Sequence, residues 1–183
     1  MQDQITYNLN QTLERLKGPT LAQMETHIQW AACALDRFHE GSGVLFSFEI
    51  DGEKQQIQLE WDSDFSKAAM QEDKDMANNG GVALAWFLMS VMKGFGYVTQ
   101  TVIGDGVDYC FKAEEPLEDD LNFLDFPHYV EVSGILEESA SNTIKKRLKQ
   151  KHDQISRGNK KNQSSSVIVT LFNAPLTVKE LHR

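Results

Sequence analysis

Apolar residues at Leu21, Met24, Ile28, Ala31, Ala32 and Leu35 recur at helical spacing. They follow the breaker pair Gly18-Pro19 and a capping residue, Thr20, which predicts a helix to about His39, ended by Glu40-Gly41-Ser42-Gly43. Val44–Ile50 and Gln55–Trp61 are β-rich and flank Asp51-Gly52, a strong hairpin signal. Residues 62–80 are acidic and then Gly/Asn-rich, with helical character near Phe65–Met70. Gly81–Met92 is apolar on every side, which predicts a buried helix terminated by Gly94 and Gly96. Strands are expected at Tyr97–Ile103, Val107–Lys112, His128–Leu136 and Val167–Phe172, where Pro175 stops the last. A tight turn at Gly104-Asp105-Gly106 joins the first two. The acidic loop Glu114–Asp120 and a turn at Asp125–Pro127 precede the third, and a basic amphipathic helix, Asn142–Arg157, precedes the fourth. The expected fold is α/β (α+β): an α-β-β-β-α-β core over 81–183 with a mixed sheet flanked by helices. Residues 1–80 add an N-terminal helix and β-hairpin, the whole forming one compact domain.

Length and composition agree with this. The chain has 183 residues, 40 % of them hydrophobic, enough for a core. Its longest apolar run, Gly81–Met92, is shorter than the ~18 residues that cross a bilayer. The polar start lacks the layout of a secretion signal, so a cytoplasmic protein is expected. Cys33 and Cys110 fall in apolar patterns and are read as buried thiols, a disulfide being the alternative.

The net charge of −9 argues against general polyanion binding, but it is unevenly spread. Ser141–Arg183 holds ten Lys or Arg against Asp153 and Glu180. This basic quarter is suited either to a phosphate backbone, chiefly through 141–161, or to acidic neighbours within the chain. A protein partner is the other expectation, and no membrane is.

Candidate chemistry converges on three elements. Asp108 follows the Gly104–Gly106 turn and, by strand parity, shares a face with Cys110 and opposes Val107, Tyr109 and Phe111. Glu131 and Ser133 share one face of their strand, and Val130 and Val132 the other. A carboxylate in so apolar a strand needs a partner or a metal, unless the strand is an edge with one wet face. On the basic helix, Ile144, Leu148 and Ile155 form an apolar stripe with Lys151 inside it, flanked by Arg147 and Gln154; Lys145, Lys146 and Lys149 take the wet side. Lys151 either meets a buried carboxylate or snorkels to water. The five histidines have no metal-ligand spacing, and neither Cys has a CxxC partner. Glu72, Asp73 and Asp75 fit a solvated loop better than a third acid for the site.

Helix, strand, strand with Asp108, strand with Glu131, helix and strand, over Gly81–Phe172, resemble the PD-(D/E)XK nuclease superfamily. The resemblance implies a restriction-endonuclease-like core and hydrolysis of nucleic-acid phosphodiesters. It implies that Asp108 and Glu131, with the Ser133 hydroxyl, hold Mg²⁺ or Mn²⁺. Ser133 occupies the position where that family carries its lysine. Lys151 is then the relocated lysine, and Gln154 resembles a helix glutamine of some members. Arg147, Arg157, Lys160 and Lys161 are the expected contacts to substrate phosphates. Two other readings stay open: a nuclease-fold binding or regulatory subunit without catalysis, and an acidic interaction protein whose acids pair with Lys151 or Arg147 to fix the core.

Overall fold

The computed structural model describes residues 5–62, 70–116 and 126–183. The expected helical segment near 65–70, apart from Met70, and much of the 114–127 loop region lie outside them. Eight strands form one mixed sheet in the order β1-β3-β2-β8-β7-β6-β5-β4. They are β1 (Thr6–Asn8), β2 (Gly43–Ile50), β3 (Glu53–Glu60), β4 (Tyr97–Gln100), β5 (Tyr109–Lys112), β6 (His128–Ile135), β7 (Ser165–Leu171) and β8 (Leu176–Leu181). Among the described residues four α-helices accompany it, α1 (Gln11–Arg15), α2 (Leu21–Phe38), α3 (Asp73–Phe87) and α4 (Ile144–Arg157), and α3 runs on into a π-helical stretch over Leu88–Met92.

The expected α-β-β-β-α-β order is present as α3-β4-β5-β6-α4-β7. β4, β5 and β6 form an antiparallel meander, and α4 carries the chain to β7, parallel to β6. Thr20 caps α2 in a full capping box with Gln23. At the β2–β3 hairpin Asp51 and Gly52 both have positive φ, as the dipeptide requires.

Several expectations are corrected. α3 begins at Asp73, so a boundary at residue 80 falls inside a helix. Gly80, left in the Gly/Asn-rich stretch before the expected helix, and Gly81, its expected first residue, are there for proximity. A Cβ on Gly80 would come within 3.1 Å of the Ala31 Cα, and one on Gly81 within 3.0 Å of the Gly134 nitrogen. Acidic Glu72, Asp73 and Asp75 are not a loop: Glu72 accepts from the Lys74 N–H, and Asp73 pairs with Arg37 at 2.5 Å. That placement suits a helix N-terminus. β4 and β5 are shorter than expected, ending at Gln100 and starting at Tyr109. β8 was not expected. β7 ends at Leu171, and Pro175 closes the turn that leads into β8, which pairs in parallel with β2 and joins the N-terminal strands to the core sheet.

The sheet is covered on two sides. Phe46, Phe48, Val130, Val132, Phe111 and Ile168 pack with α2 and α3 in one large cluster. Val107, Ile135, Val167, Val169 and Val178 pack with Leu148 and Ile155 of α4 in a smaller one. Cys33 and Cys110 are buried thiols. Among the described residues no helix is long and apolar enough to cross a membrane.

Candidate active site

β6 is interior to the sheet, between β5 and β7, so the reading of an edge strand with one wet face fails. Its residues alternate strictly: Val130 and Val132 face α3, while Tyr129 and Ile135 belong to the α4 cluster. Glu131 and Ser133 share that second face by parity. Glu131 is fully buried, and Ser133 nearly so.

Asp108 reaches the same face from just before β5. Its backbone N–H donates to the Val130 carbonyl at 2.9 Å, and its Oδ2 accepts the Val132 N–H at 2.8 Å. The carboxylate thus ties β6 to the entry of β5 before the regular ladder starts at Tyr109. That irregularity explains one correction. Val107 packs in the α4 cluster instead of opposing Asp108, because strand parity does not hold ahead of the ladder.

The turn that delivers Asp108 is pressed onto the end of α4. A Cβ on Gly158 would lie 2.2 Å from the Asp105 carbonyl oxygen, and one on Gly106 2.9 Å from that of Gln154. Gly106 also has φ +78. These glycines let the β4–β5 turn and the α4 terminus cross without side chains between them. The Asn159 and Lys160 N–H groups then donate to the Gly104 and Asp105 carbonyls at 3.0 and 3.2 Å. Gly158 is a position that sequence reasoning passed over; its place right after a basic helix was the visible sign.

Lys151 turns inward from α4. Its ammonium contacts Glu131 Oε1 and lies 3.4 Å from Gln154 Oε1. Lys145 and Lys149 are exposed, as expected from the helix phase. Glu131 Oε2 is buried and accepts no hydrogen bond, while the Asp108 carboxylate lies within hydrogen-bonding reach of the Glu131 carboxyl. Burial first, and then the adjacent Asp108 carboxylate, push Glu131 up to about 7. The Lys151 ammonium pulls the other way. Asp108, Glu131, Lys151 and Gln154 are therefore one site, with Ser133 on the same face.

The expected phosphate contacts divide. Lys160 sits over the Tyr129 ring, 5.1 Å from its centroid, two residues along β6 from Glu131. Lys161 and Arg157 are exposed just past and at the end of α4, where Arg157 Nε donates to the Asp153 carbonyl at 3.1 Å. Arg147 does not join them. Its guanidinium donates to Asn142 Oδ1 at 2.7 Å and lines a separate depression with Arg37 and Asp73. It is therefore not available to pair with Glu131.

Two carboxylates, with a hydroxyl on the same strand face, are hard oxygen donors, and the facing Asp108 and Glu131 carboxyls can share a cation or a proton. A divalent ion there would have few protein ligands. The set falls short of a full protein cage: among the described residues no three His, Cys, Asp or Glu side chains assemble to hold a metal. Two histidines read as scattered do meet, because β8 runs beside α4. His152 contacts His182 Nδ1 at 3.0 Å through one ring nitrogen and Glu180 at 3.1 Å through the other. Its nitrogens diverge, so the three share no common point for an ion.

No family model matches the chain, and no curated protein or solved structure matches it.

Proposed function

We propose that the protein is a metal-dependent hydrolase of nucleic-acid phosphodiester bonds, working at Asp108, Glu131 and Lys151. The observation that carries this reading is the buried Glu131 carboxyl set against the Asp108 carboxylate. Two carboxylates facing each other in an interior are more than one lysine needs, and they cost stability unless a proton or a cation lies between them. The order α3-β4-β5-β6-α4-β7 resembles the PD-(D/E)XK core, and supports the same reading.

Asp108, Glu131 and the Ser133 hydroxyl would hold Mg²⁺ or Mn²⁺, which when bound lowers the pKa of a water and steadies phosphoryl charge. Glu131, raised to about 7, is poised to exchange a proton near neutrality. Lys151 is aimed by Glu131 and Gln154, and its ammonium would offset negative charge developing on the phosphoryl oxygens. Arg157, Lys160 and Lys161 would hold the flanking phosphates without reading sequence. A nucleic acid would thus lie along the C-terminal end of α4, the basic part of an acidic protein. The reading carries with it a cytoplasmic location.

The test is cleavage of single- and double-stranded DNA and RNA with Mg²⁺ or Mn²⁺. Wild type should cut. Glu131→Gln and Lys151→Ala should each abolish cutting, with circular dichroism unchanged. Excess metal should partly restore Glu131→Gln and not Lys151→Ala, because only the first loses a metal ligand. Metal-independent cutting, or cutting that survives both substitutions, sinks the proposal.

A second reading has two observations in its favour: Glu131 has no exposed surface, and Asp108 is engaged by the Val132 N–H. A nuclease-fold binding subunit without catalysis would tolerate both. It would lose nucleic acid or a protein partner on Lys145→Glu with Lys149→Glu, and would show no cleavage under any metal.

A further inference from the structure

β4 ends at Gln100, so Val102 and Ile103, two β-branched residues suited to a strand, stand instead at the tip of the β4–β5 turn. Val102 is 72 % exposed and Ile103 104 %, as open as in an extended chain. A lone exposed aliphatic residue needs no explanation. Two in succession at a turn apex, where glycine, proline and short polar residues are usual, do.

The tip is braced. The Asp105 N–H donates to the Val102 carbonyl at 3.2 Å, and Gly104 takes φ +98, the pattern of a type II turn with Ile103 as its first central residue. Behind it the Thr101 N–H donates to the Asp108 carbonyl at 2.9 Å, and the Thr101 hydroxyl donates to that of Val107. The bonds from the Asn159 and Lys160 N–H groups fasten the turn to the end of α4. Ile103 is thus presented on a fixed scaffold, and ordering it against a ligand costs little.

The surroundings of the tip are basic. Arg157, Lys160 and Lys161 lie on the segment that those bonds hold against the turn, and 154–163 contains no acid. Asp105, the one acid of the turn itself, is buried. An aliphatic point with cations beside it matches a nucleic-acid duplex, which offers an apolar base stack between rows of phosphates. Aliphatic side chains inserted between base steps unstack them and kink DNA. A single strand is held instead by flat rings on which its bases stack, and the tip has none.

We infer that Ile103, backed by Val102, inserts between base pairs of duplex DNA while Arg157, Lys160 and Lys161 hold the adjacent phosphates. This rests on the nucleic-acid reading above and names the form of its substrate. The turn that carries Ile103 also delivers Asp108, so the opened step and the acidic site belong to one element.

The experiment uses the full chain in EDTA, so that cutting does not interfere, with duplex DNA carrying 2-aminopurine at TA steps, which open readily. Binding should raise the fluorescence of the unstacked analogue. Val102→Ser with Ile103→Ser should bind roughly tenfold more weakly and leave the fluorescence low, because aliphatic burial in the stack is lost. Ile103→Phe should keep both signals, since another apolar wedge serves. Both positions are exposed, so melting temperatures should match wild type. The salt dependence of binding should also be unchanged in the serine variant, whereas Lys160→Ala with Lys161→Ala should make it shallower. A serine variant that binds, unstacks and cuts as wild type does overturns the insertion and leaves the hydrolytic reading standing. Wild type that unstacks DNA where the serine variant does not, while neither cuts with Mg²⁺ or Mn²⁺, supports the insertion and removes the hydrolytic reading. Duplex binding without a fluorescence rise, or binding only to single strands or to vesicles of anionic phospholipid, overturns the insertion. So does no binding at all.

Discussion

On the α3 side of β6, Val130, Val132 and Gly134 meet a helix so closely that a Cβ on Gly134 would stand 1.7 Å from the Ala77 carbonyl oxygen. On the α4 side, Tyr129, Glu131, Ser133 and Ile135 meet a helix that offers Leu148 and Ile155 but also Lys151. One strand therefore has a face packed by shape and a face organised by charge. The first is stabilised by apolar burial and backbone proximity. The second gives up apolar area to hold a carboxylate where water cannot reach it. The contrast separates what makes the protein fold from what equips it to act.

Substitutions on the two faces should differ most sharply in stability. Gly134→Val drives side-chain atoms into α3 backbone, which cannot retreat as a flexible side chain could. It should cost about 4 kcal/mol or more, read as loss of a cooperative thermal transition. Ser133→Ala, one residue away on the other face, should stay within about 1 kcal/mol. Comparable losses from the two would erase the distinction.

Next in size is the ion pair. Lys151→Ala leaves Glu131 buried without its cation and should cost about 3 kcal/mol in urea unfolding at pH 8. The loss should shrink at pH 5, where Glu131 is protonated. Glu131→Gln with Lys151→Met removes both charges and should restore stability to within about 1 kcal/mol of wild type. A double variant as unstable as Lys151→Ala would mean that Lys151 acts through packing alone.

A smaller effect distinguishes the faces by pH. Glu131, at about 7 in the fold against an ordinary 4.5, keeps a proton that the unfolded chain has released between those values. Its contribution is complete below 4.5 and is lost as pH rises towards 7. His128, on the other face of β6, has the opposite sign. Burial, then the Lys179 ammonium, bring it from 6.5 down to about 4, against the pull of Asp51. Its contribution is present above 6.5 and is lost as pH falls towards 4. The two oppose each other in wild type, so single variants are needed. Relative to wild type, Glu131→Gln should gain in melting temperature between pH 5 and pH 8. His128→Gln should gain on acidification through the same range. Parallel curves for either variant would contradict the assignment of that group.

The legible part of this molecule was the local part. Period-2 alternation in His128–Ile135 and the stripe Ile144, Leu148, Lys151 and Ile155 each carry their own geometry, so the pairing of Glu131 with Lys151 followed from two periodicities and the order of elements. β8 escaped because Leu176–Leu181 is short, follows a proline, and carries Lys179 and Glu180; its place was decided by pairing with the distant β2. The start of α3 escaped because Asn78, Asn79, Gly80 and Gly81 have poor helix propensity, which tertiary proximity overrides. Arg147 was placed by helix phase, but the Asn142 side chain, set by the loop before α4, took its guanidinium away.

The central claim is that Asp108 and Glu131 form a cation site and not a closed ion pair. Calorimetric titration with Mn²⁺ at pH 6.5, in two buffers of different ionisation enthalpy, tests it most directly. Because Glu131 is partly protonated there, binding one ion should release protons, and the apparent enthalpy should differ between buffers. Asp108→Asn and Glu131→Gln should each abolish that heat. No binding at millimolar Mn²⁺, or binding that both variants retain, would contradict the account.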